Sequence, residues 1–526
     1  MSYYKDLREY INVLEETGNL VRIGRQINKD NELMPLVRWQ YRGLPEKDRK
    51  AFLFETVFDA KGRKYNIPVI TACYAGTKKI YALGMKCNPD EIMEKWSKAQ
   101  SHPVEPKPLE NGPVQEEVHI GDKLLEHDGL GEFPVPISTP GFDNGPYLTA
   151  PFWVSKDPET GIPNIGTYRT MIKSPTRVGT FCQQPSHMRQ HWQKCRDRGL
   201  KVLQSAIVLG ATPNIAYCSV AKIPFGTSEY AIAGGIAGEP VPLVRCKTVD
   251  LAVPAAAEMV IEGEIPTDYL EREGPFGEHT GYISGEFYNL FMNVTCITHR
   301  KNPIYAAFFS QFPPSESSVL RGVGADAVTH KFLRYECNIP TILDVHWNQE
   351  VGSNQWCVIK MKKSNEAQPW QALLAASAYE PRVGKTIIVV DEDIDIYDSD
   401  SVIWALCYRM QPDRDTRIVP GKLHITDPSV APEVEGRSER VPGSALLINA
   451  TRKWPYPPTA LPAKEFMDKA KKIWEEEGLP PLTPKGPWHG YELGRWTERN
   501  RREAEMALRG EHYQIGEEMA KERKKV

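Results

Sequence analysis

The sequence predicts a multidomain protein of mixed α+β and α/β class, with a β-rich middle region between two regions that alternate helix and strand. Three observations predict it. A chain of 526 residues has room for two to four domains with sizeable cores. From about residue 115 to 320, short apolar runs such as VLQSAIVLG, IAYCSVAKI and YNLFMNVTCI follow one another between turn signals, as strands do. Further on, TILDVHW and TIIVVDEDID read as buried strands ending in acids, with helical stretches around them, which indicates an α/β layer.

Leu7, Ile11 and Leu14 recur at helical spacing and Gly18 supplies a stop, so the chain opens with an amphipathic helix leading into a strand over 20–23. The proline-rich, polar stretch HPVEPKPLENGPV marks a boundary, giving regions over 1–112, 113–325, 326–453 and 454–526. The last begins with the linker WPYPPTALP. A helix follows, with Phe466, Ala470 and Ile473 on one face, Pro462 near its start and Gly478 at its end. Beyond it, Trp488, Tyr491, Trp496 and Tyr513 are too many aromatics for a disordered tail, so this segment is expected to wrap a neighbouring surface.

Composition excludes several classes. A net charge of -3 with intermixed acids and bases, apart from the terminal KERKKV, gives no footprint for nucleic acid. Ten scattered cysteines without a C-x-x-C pair argue against a zinc ribbon or an iron–sulfur cluster. No stretch approaches the roughly 18 apolar residues of a membrane span, and no apolar run marks a leader, so a cytoplasmic protein is expected.

The most informative segment is EREGPFGEHTGY, which sets Glu273 and Glu278 around Gly274, Pro275, Phe276 and Gly277. It is too rich in turn formers for a helix interior, so both carboxylates can converge on one site, and two nearby acids suit proton transfer. Upstream, NIGTYRTM reads as a strand carrying Asn164 and Arg169, whose guanidinium fork fits a carboxylate. QQPSHMRQH places His187 and His191 at i, i+4, but Met188 stands where a zinc protease needs glutamate. With Glu229, the set Asn164 and His187 offers a carbonyl oxygen, an imidazole and a carboxylate, donors suited to Mg²⁺ or Mn²⁺ beside a phosphate.

These motifs, in this order and spacing, resemble the UbiD family of prenylated-FMN-dependent decarboxylases. SQFPPSESSVLRG, GKTIIVVDEDIDIYDSDSVIWALCYR and the opening DLREYINVLEETGNLVRI also look like that family, so the resemblance covers roughly residues 1 to 460. It implies a UbiD-like fold with a central split β-barrel that binds the flavin, a flanking α/β oligomerisation domain and a helical tail. By the same resemblance Arg169, Glu273 and Glu278 form the catalytic set, with Arg169 also beside the cofactor. The divalent ion on the cofactor phosphate falls to Asn164, His187 and Glu229, with K⁺ near Glu229, and the phosphate lysine falls to Lys385. The glycines of AIAGGIAGEP are expected to allow close backbone approach near the flavin.

The implied activity is reversible non-oxidative decarboxylation of an aromatic acid, with prenylated FMN as electron sink. An FMN prenyltransferase would supply the cofactor, and the chain would form a homo-oligomer, dimer to hexamer. The tail segment LGRWTERNRREAEMALRG points to an aromatic acyl-CoA such as phthaloyl-CoA, with Arg495, Arg501 and Arg502 for its phosphates. A free hydroxybenzoate of the vanillate or protocatechuate type is the alternative, and the same machinery can run as a carboxylase.

Overall fold

The structure, a computed structural model, describes residues 2–350, 352, 354–424, 427–430, 442–490 and 496–522. Its first helix, Leu7–Glu16, begins where the Asp6 side chain accepts the Glu9 amide and buries Leu7, Tyr10, Ile11 and Leu14. Gly18 then turns the chain at φ +68°. The following strand Leu20–Ile23 joins a four-stranded sheet with Ala51–Phe54, Val69–Thr71 and Tyr305–Ala307. The last of these comes from the end of the middle region, so the two regions share a sheet.

The middle region is built on a ten-stranded sheet. Its path runs Pro163–Thr167, Phe152–Lys156, Val202–Leu209, Met259–Pro266, Phe287–His299, Arg177–Thr180, Thr170–Ser174, Tyr147–Leu148. The terminal strands do not pair, so the sheet is not a closed barrel. Pro163–Thr167 at one end and Thr170–Ser174 near the other are nevertheless consecutive in the chain, separated by Tyr168 and Arg169 alone. The sheet therefore curls until its ends nearly meet, and Arg169 sits in the split. Where NIGTYRTM reads as one strand, the structure has two, broken at this crossing.

Two expectations are corrected here. IAYCSVAKI is not a strand: Pro213–Val220 is a helix, with Pro213 in its first turn. Residues 213–219 are all buried, and a segment apolar on every side carries no periodicity to separate helix from strand. Two glycines of AIAGGIAGEP are taken up by helix packing and the third by a helix end. On the helix Glu229–Ala237 a Cβ on Gly234 would stand 2.3 Å from the Val104 carbonyl oxygen and one on Gly235 would stand 2.7 Å from that of Ala99, while Gly238 ends the helix at φ +75°.

Residue 325 lies inside the helix Glu316–Lys331, which runs from the middle region into the next. Ser315 caps it through a reciprocal box with Ser318. Glu316 accepts the amides of Ala72, Tyr74, Ala75 and Phe309 at 2.9–3.3 Å, bolting the helix to the N-terminal region. Ile342–Trp347 and Thr386–Asp391 are buried strands of a five-stranded mixed sheet. In the tail, Lys464–Glu476 is helical and Gly478 follows at φ +66°. Helices Glu498–Leu508 and His512–Lys521 come next, while Tyr491 and Arg495 lie outside the described residues. All ten cysteines are free, and among the described residues no helix is long and apolar enough to cross a membrane.

Candidate active site

Arg169 is held where the sheet fails to close. Its carbonyl accepts the Thr180 hydroxyl at 3.1 Å and the Phe181 amide at 3.3 Å, which fixes the backbone at the crossing. Its guanidinium then lies 4.3 Å from the ring centre of Phe181 and 5.2 Å from that of Phe276.

The two glutamates reach it by a local device. Glu273 ends the strand Glu271–Glu273, and Gly274 turns at φ +101°, where a Cβ would meet the Gly285 carbonyl oxygen at 2.5 Å. Phe276–Gly277 then pairs with Ile283–Ser284, and the Glu278 amide donates to the Tyr282 carbonyl at 2.9 Å to close a tight hairpin. Three neighbours hold this hairpin: Asn144 donates to the Gly274 carbonyl at 2.7 Å, Tyr147 to that of Pro275 at 3.2 Å, and Asp143 accepts the Gly277 amide at 2.9 Å. Burial pushes the Asp143 carboxyl up to about 6 against the amides of Thr139 and Gly277.

Glu273 and Arg169 form a bidentate pair, Nε to Oε1 at 2.9 Å and Nη2 to Oε2 at 2.8 Å. On its other side Arg169 Nη1 donates to Glu278 and to the Ser284 hydroxyl. Burial works against the charge of Arg169, but Glu278 and Glu273 hold its pKa above the ordinary value. The two acids differ in position. Glu273 is fully buried behind the arginine, whereas Glu278 lies on a cavity of about 190 Å³ and is the one carboxylate among that cavity's described lining residues.

An adjoining cavity of about 310 Å³ shares Tyr168, Ser186, Lys222, Arg321 and Arg382 with the first, and Asn164, His187 and Glu229 line it. His187 opens the helix His187–Asp197 and Glu229 opens Glu229–Ala237, so two helix N-termini face this space, an arrangement favourable to anions. His187 Nδ1 lies 2.9 Å from Asn164 Oδ1 and 3.8 Å from Glu229 Oε1. Adjacent ligands of an octahedral ion with bonds of about 2.1 Å stand about 3 Å apart, a spacing that the His187–Asn164 pair matches and the His187–Glu229 pair exceeds. Asn164 Nδ2 is buried without a partner among the described residues, and burial raises the Glu229 carboxyl against the opposing pull of His187. A cation would favour the Glu229 carboxylate, and an anion beside it would give the Asn164 amide an acceptor. His191, the other histidine of that helix, faces the core, with Nδ1 3.0 Å from the Ser155 hydroxyl.

Lys385 is not part of this assembly. Its ammonium reaches Asp427 at 2.7 Å and Ser429 at 2.6 Å, and it lines neither cavity. The lysine on the shared wall is Lys222, whose pKa is lowered to about 7, chiefly by the charge of Arg382 and then by burial. Arg321 adds a third cation, and Glu380, paired with Arg382 at 2.8 Å, is the acid that partly offsets them. Although burial opposes it, Arg382 holds the Glu380 carboxyl down to about 2. Of the described tail arginines, Arg502 pairs with Glu518 at 3.1 Å, and neither Arg501 nor Arg502 lines a cavity.

Family models described as the N-terminal, Rift-related and C-terminal domains of 3-octaprenyl-4-hydroxybenzoate carboxy-lyase match residues 11–100, 107–312 and 318–450. The chain belongs to the UbiD family. UbiD members are carboxy-lyases, and this one is 31% identical to an uncharacterized protein of Aquifex aeolicus over 90% of this chain and 99% of that relative. An evolved dimeric form of the UbiD-class enzyme HmfF from Pelotomaculum thermopropionicum, in complex with prFMN, superposes with a TM-score of 0.72 at 30% identity, covering 85% of this chain and 95% of that one. The closed form of Sedimentibacter hydroxybenzoicus vanillic acid decarboxylase gives a TM-score of 0.75 at 25% identity, covering 90% and 100%. The UbiD-like multidomain fold expected from the sequence is thereby established.

Proposed function

We propose that this UbiD protein is a prenylated-FMN-dependent decarboxylase of a small aromatic carboxylic acid, with Glu278 as proton donor. One observation carries the reading: the Arg169–Glu278 pair and the Asn164–His187–Glu229 donor set line adjoining cavities joined by a cationic wall. Prenylated FMN, when bound, supplies the electron sink that an aryl carboxylate lacks. The residues of the chain bind, orient and protonate. A divalent ion, Mn²⁺ or Mg²⁺, would be held by Asn164, His187 and Glu229 and would offset the charge of the cofactor phosphate together with Lys222 and Arg382, and K⁺ beside Glu229 belongs to the same reading. Arg169, held by Glu273, keeps Glu278 against the cavity. Once CO₂ has left, the Glu278 carboxyl returns a proton to the ring carbon that carried it.

The likeness to a vanillic acid decarboxylase favours a free acid of the vanillate or protocatechuate type over phthaloyl-CoA. A homo-oligomer is part of the proposal, supported by the apolar face that Phe466, Ile473 and Trp474 expose on the tail helix. Production with and without an FMN prenyltransferase tests the cofactor. Activity on the acids, but not on the CoA ester, is expected only in the first preparation, and equal activity in both would overturn the reading.

Lys222 adds a pH signature. Its ammonium is favoured by a bound phosphate, so binding takes up a proton at and above about pH 7, where the free protein has lost it. FMN affinity is therefore expected to fall as pH rises from about 7 to about 9. Lys222→Met should lower affinity about 10-fold or more at neutral pH and flatten that slope, as read by flavin fluorescence titration.

A further inference from the structure

A second cluster of ligating side chains lies away from both cavities. His119 is on the strand Glu117–Ile120, His127 follows the short helix Lys123–Glu126, and Glu132 ends the turn Gly129–Glu132. Ligand atoms of these three residues all lie within 4.8 Å of one another. His299, at the end of the long strand Phe287–His299, completes the group, because that strand pairs with Glu117–Ile120.

The contacts around Glu132 are wrong for hydrogen bonds and right for a metal. His119 Nδ1 faces Glu132 Oε2 at 3.5 Å, and His299 Nε2 faces Oε1 at 3.8 Å. Among the described residues His119 Nδ1, Glu132 Oε2 and His299 Nε2 are buried without a hydrogen-bond partner, although His119 is 5% exposed and His299 6%. Such orphaned groups are costly unless something joins them. The tautomer of His299 is set by its other nitrogen, Nδ1, which donates to the Arg300 carbonyl at 2.8 Å and leaves the Nε2 lone pair directed at the carboxylate. Metal-ligating histidines are held in this way. A cation between the carboxylate and the facing imidazole nitrogens would satisfy all of these acceptors at once. Tetrahedral zinc with bonds of about 2.1 Å sets ligand atoms about 3.4 Å apart, close to the observed spacing. His127 stacks on His119 with ring centres 4.1 Å apart and is exposed, so the site opens to solvent on that side.

We propose that His119, His127 and Glu132, with His299 on the second carboxylate oxygen, form a transition-metal site for Zn²⁺, separate from the Asn164–His187–Glu229 set. Such an ion would tie residues 117–132 to the end of the long strand, just ahead of the Asp143 and Asn144 contacts that hold the Glu273–Glu278 hairpin. Nitrogen-rich donors distinguish it from the oxygen-dominated set in the cavity.

The test uses full-length protein stripped with chelator and titrated with Co²⁺ and then Zn²⁺. Expected is the intense visible absorption of tetrahedral Co²⁺, displaced by Zn²⁺. His127→Ala, an exposed position, and Glu132→Gln should each weaken that signal's metal affinity about 100-fold or more, whereas His187→Ala should leave it unchanged. Zn²⁺ should also raise the melting temperature of the wild type and of His187→Ala, but not of His127→Ala. Unchanged Co²⁺ spectra and affinity in both His127→Ala and Glu132→Gln, or no tetrahedral signal in the wild type, would overturn the proposal.

Discussion

Glu278→Gln is expected to bind flavin normally and to lose about 10²- to 10⁴-fold in kcat, the range for removing a positioned general acid. Glutamine keeps the volume of the side chain and an oxygen able to accept from Arg169 Nη1, so the hairpin and the cavity wall should persist. What it removes is the proton. Glu278 is the one carboxylate among the described residues lining the smaller cavity, while Glu273 stands behind Arg169 and Asp143 is engaged by the amides of Thr139 and Gly277. Solvent deuterium should fail to enter the product, and exchange at the ring carbon should stop as well. Turnover and exchange within about threefold of wild type would remove Glu278 from proton transfer.

Glu273→Gln should act differently, through position and stability. Arg169 and Glu273 have side-chain exposures of 6% and 0%, and their two parallel hydrogen bonds set the plane of the guanidinium. Breaking a buried ion pair by removing one partner costs about 3–5 kcal/mol, and the lower end applies here because Glu278 and Ser284 still engage Arg169. Denaturant unfolding should show that loss. Because a misplacement of about 1 Å can cost 10²-fold, kcat/KM should fall by about that factor. The double variant Arg169→Met with Glu273→Leu separates the two effects: apolar replacement of the whole pair should restore much of the stability and none of the activity. Recovery of activity in the double variant would show that neither residue belongs to the site.

Local signals carried much of this molecule. The first helix and the tail helix were legible because each presents one apolar face and ends at a glycine in the left-handed region, Gly18 and Gly478. The Glu273–Glu278 hairpin was legible for a related reason, since Gly274, Pro275 and Gly277 rule out regular helix there. The helix Pro213–Val220 was not, because burial on all sides erases the pattern that separates helix from strand. The lysine of the cavity wall was missed for a similar reason. Lys385 precedes a strong strand and looks prominent in sequence, but its ammonium is taken by Asp427, while Lys222 follows the misread helix. Arg321 and Arg382 come from the C-terminal side of the chain, and no spacing within the β-rich region could have announced them. The group His119, His127, Glu132 and His299 was also missed, although three of its members fall within 14 residues of one another. Its fourth arrives by strand pairing.

Residue order and type were sufficient for the fold class and for the family resemblance that named six site positions, because periodicity, turn residues and motif order are properties of neighbours along the chain. Which acid faces the cavity, which cations surround the anion site and where the sheet stays open depend on separation in space. Curling of the ten-stranded sheet brings Arg169 to its unclosed seam, and the helix Glu316–Lys331 carries Arg321 across to it. Contacts between segments more than a hundred residues apart are set by packing of the whole, and no local pattern encodes them.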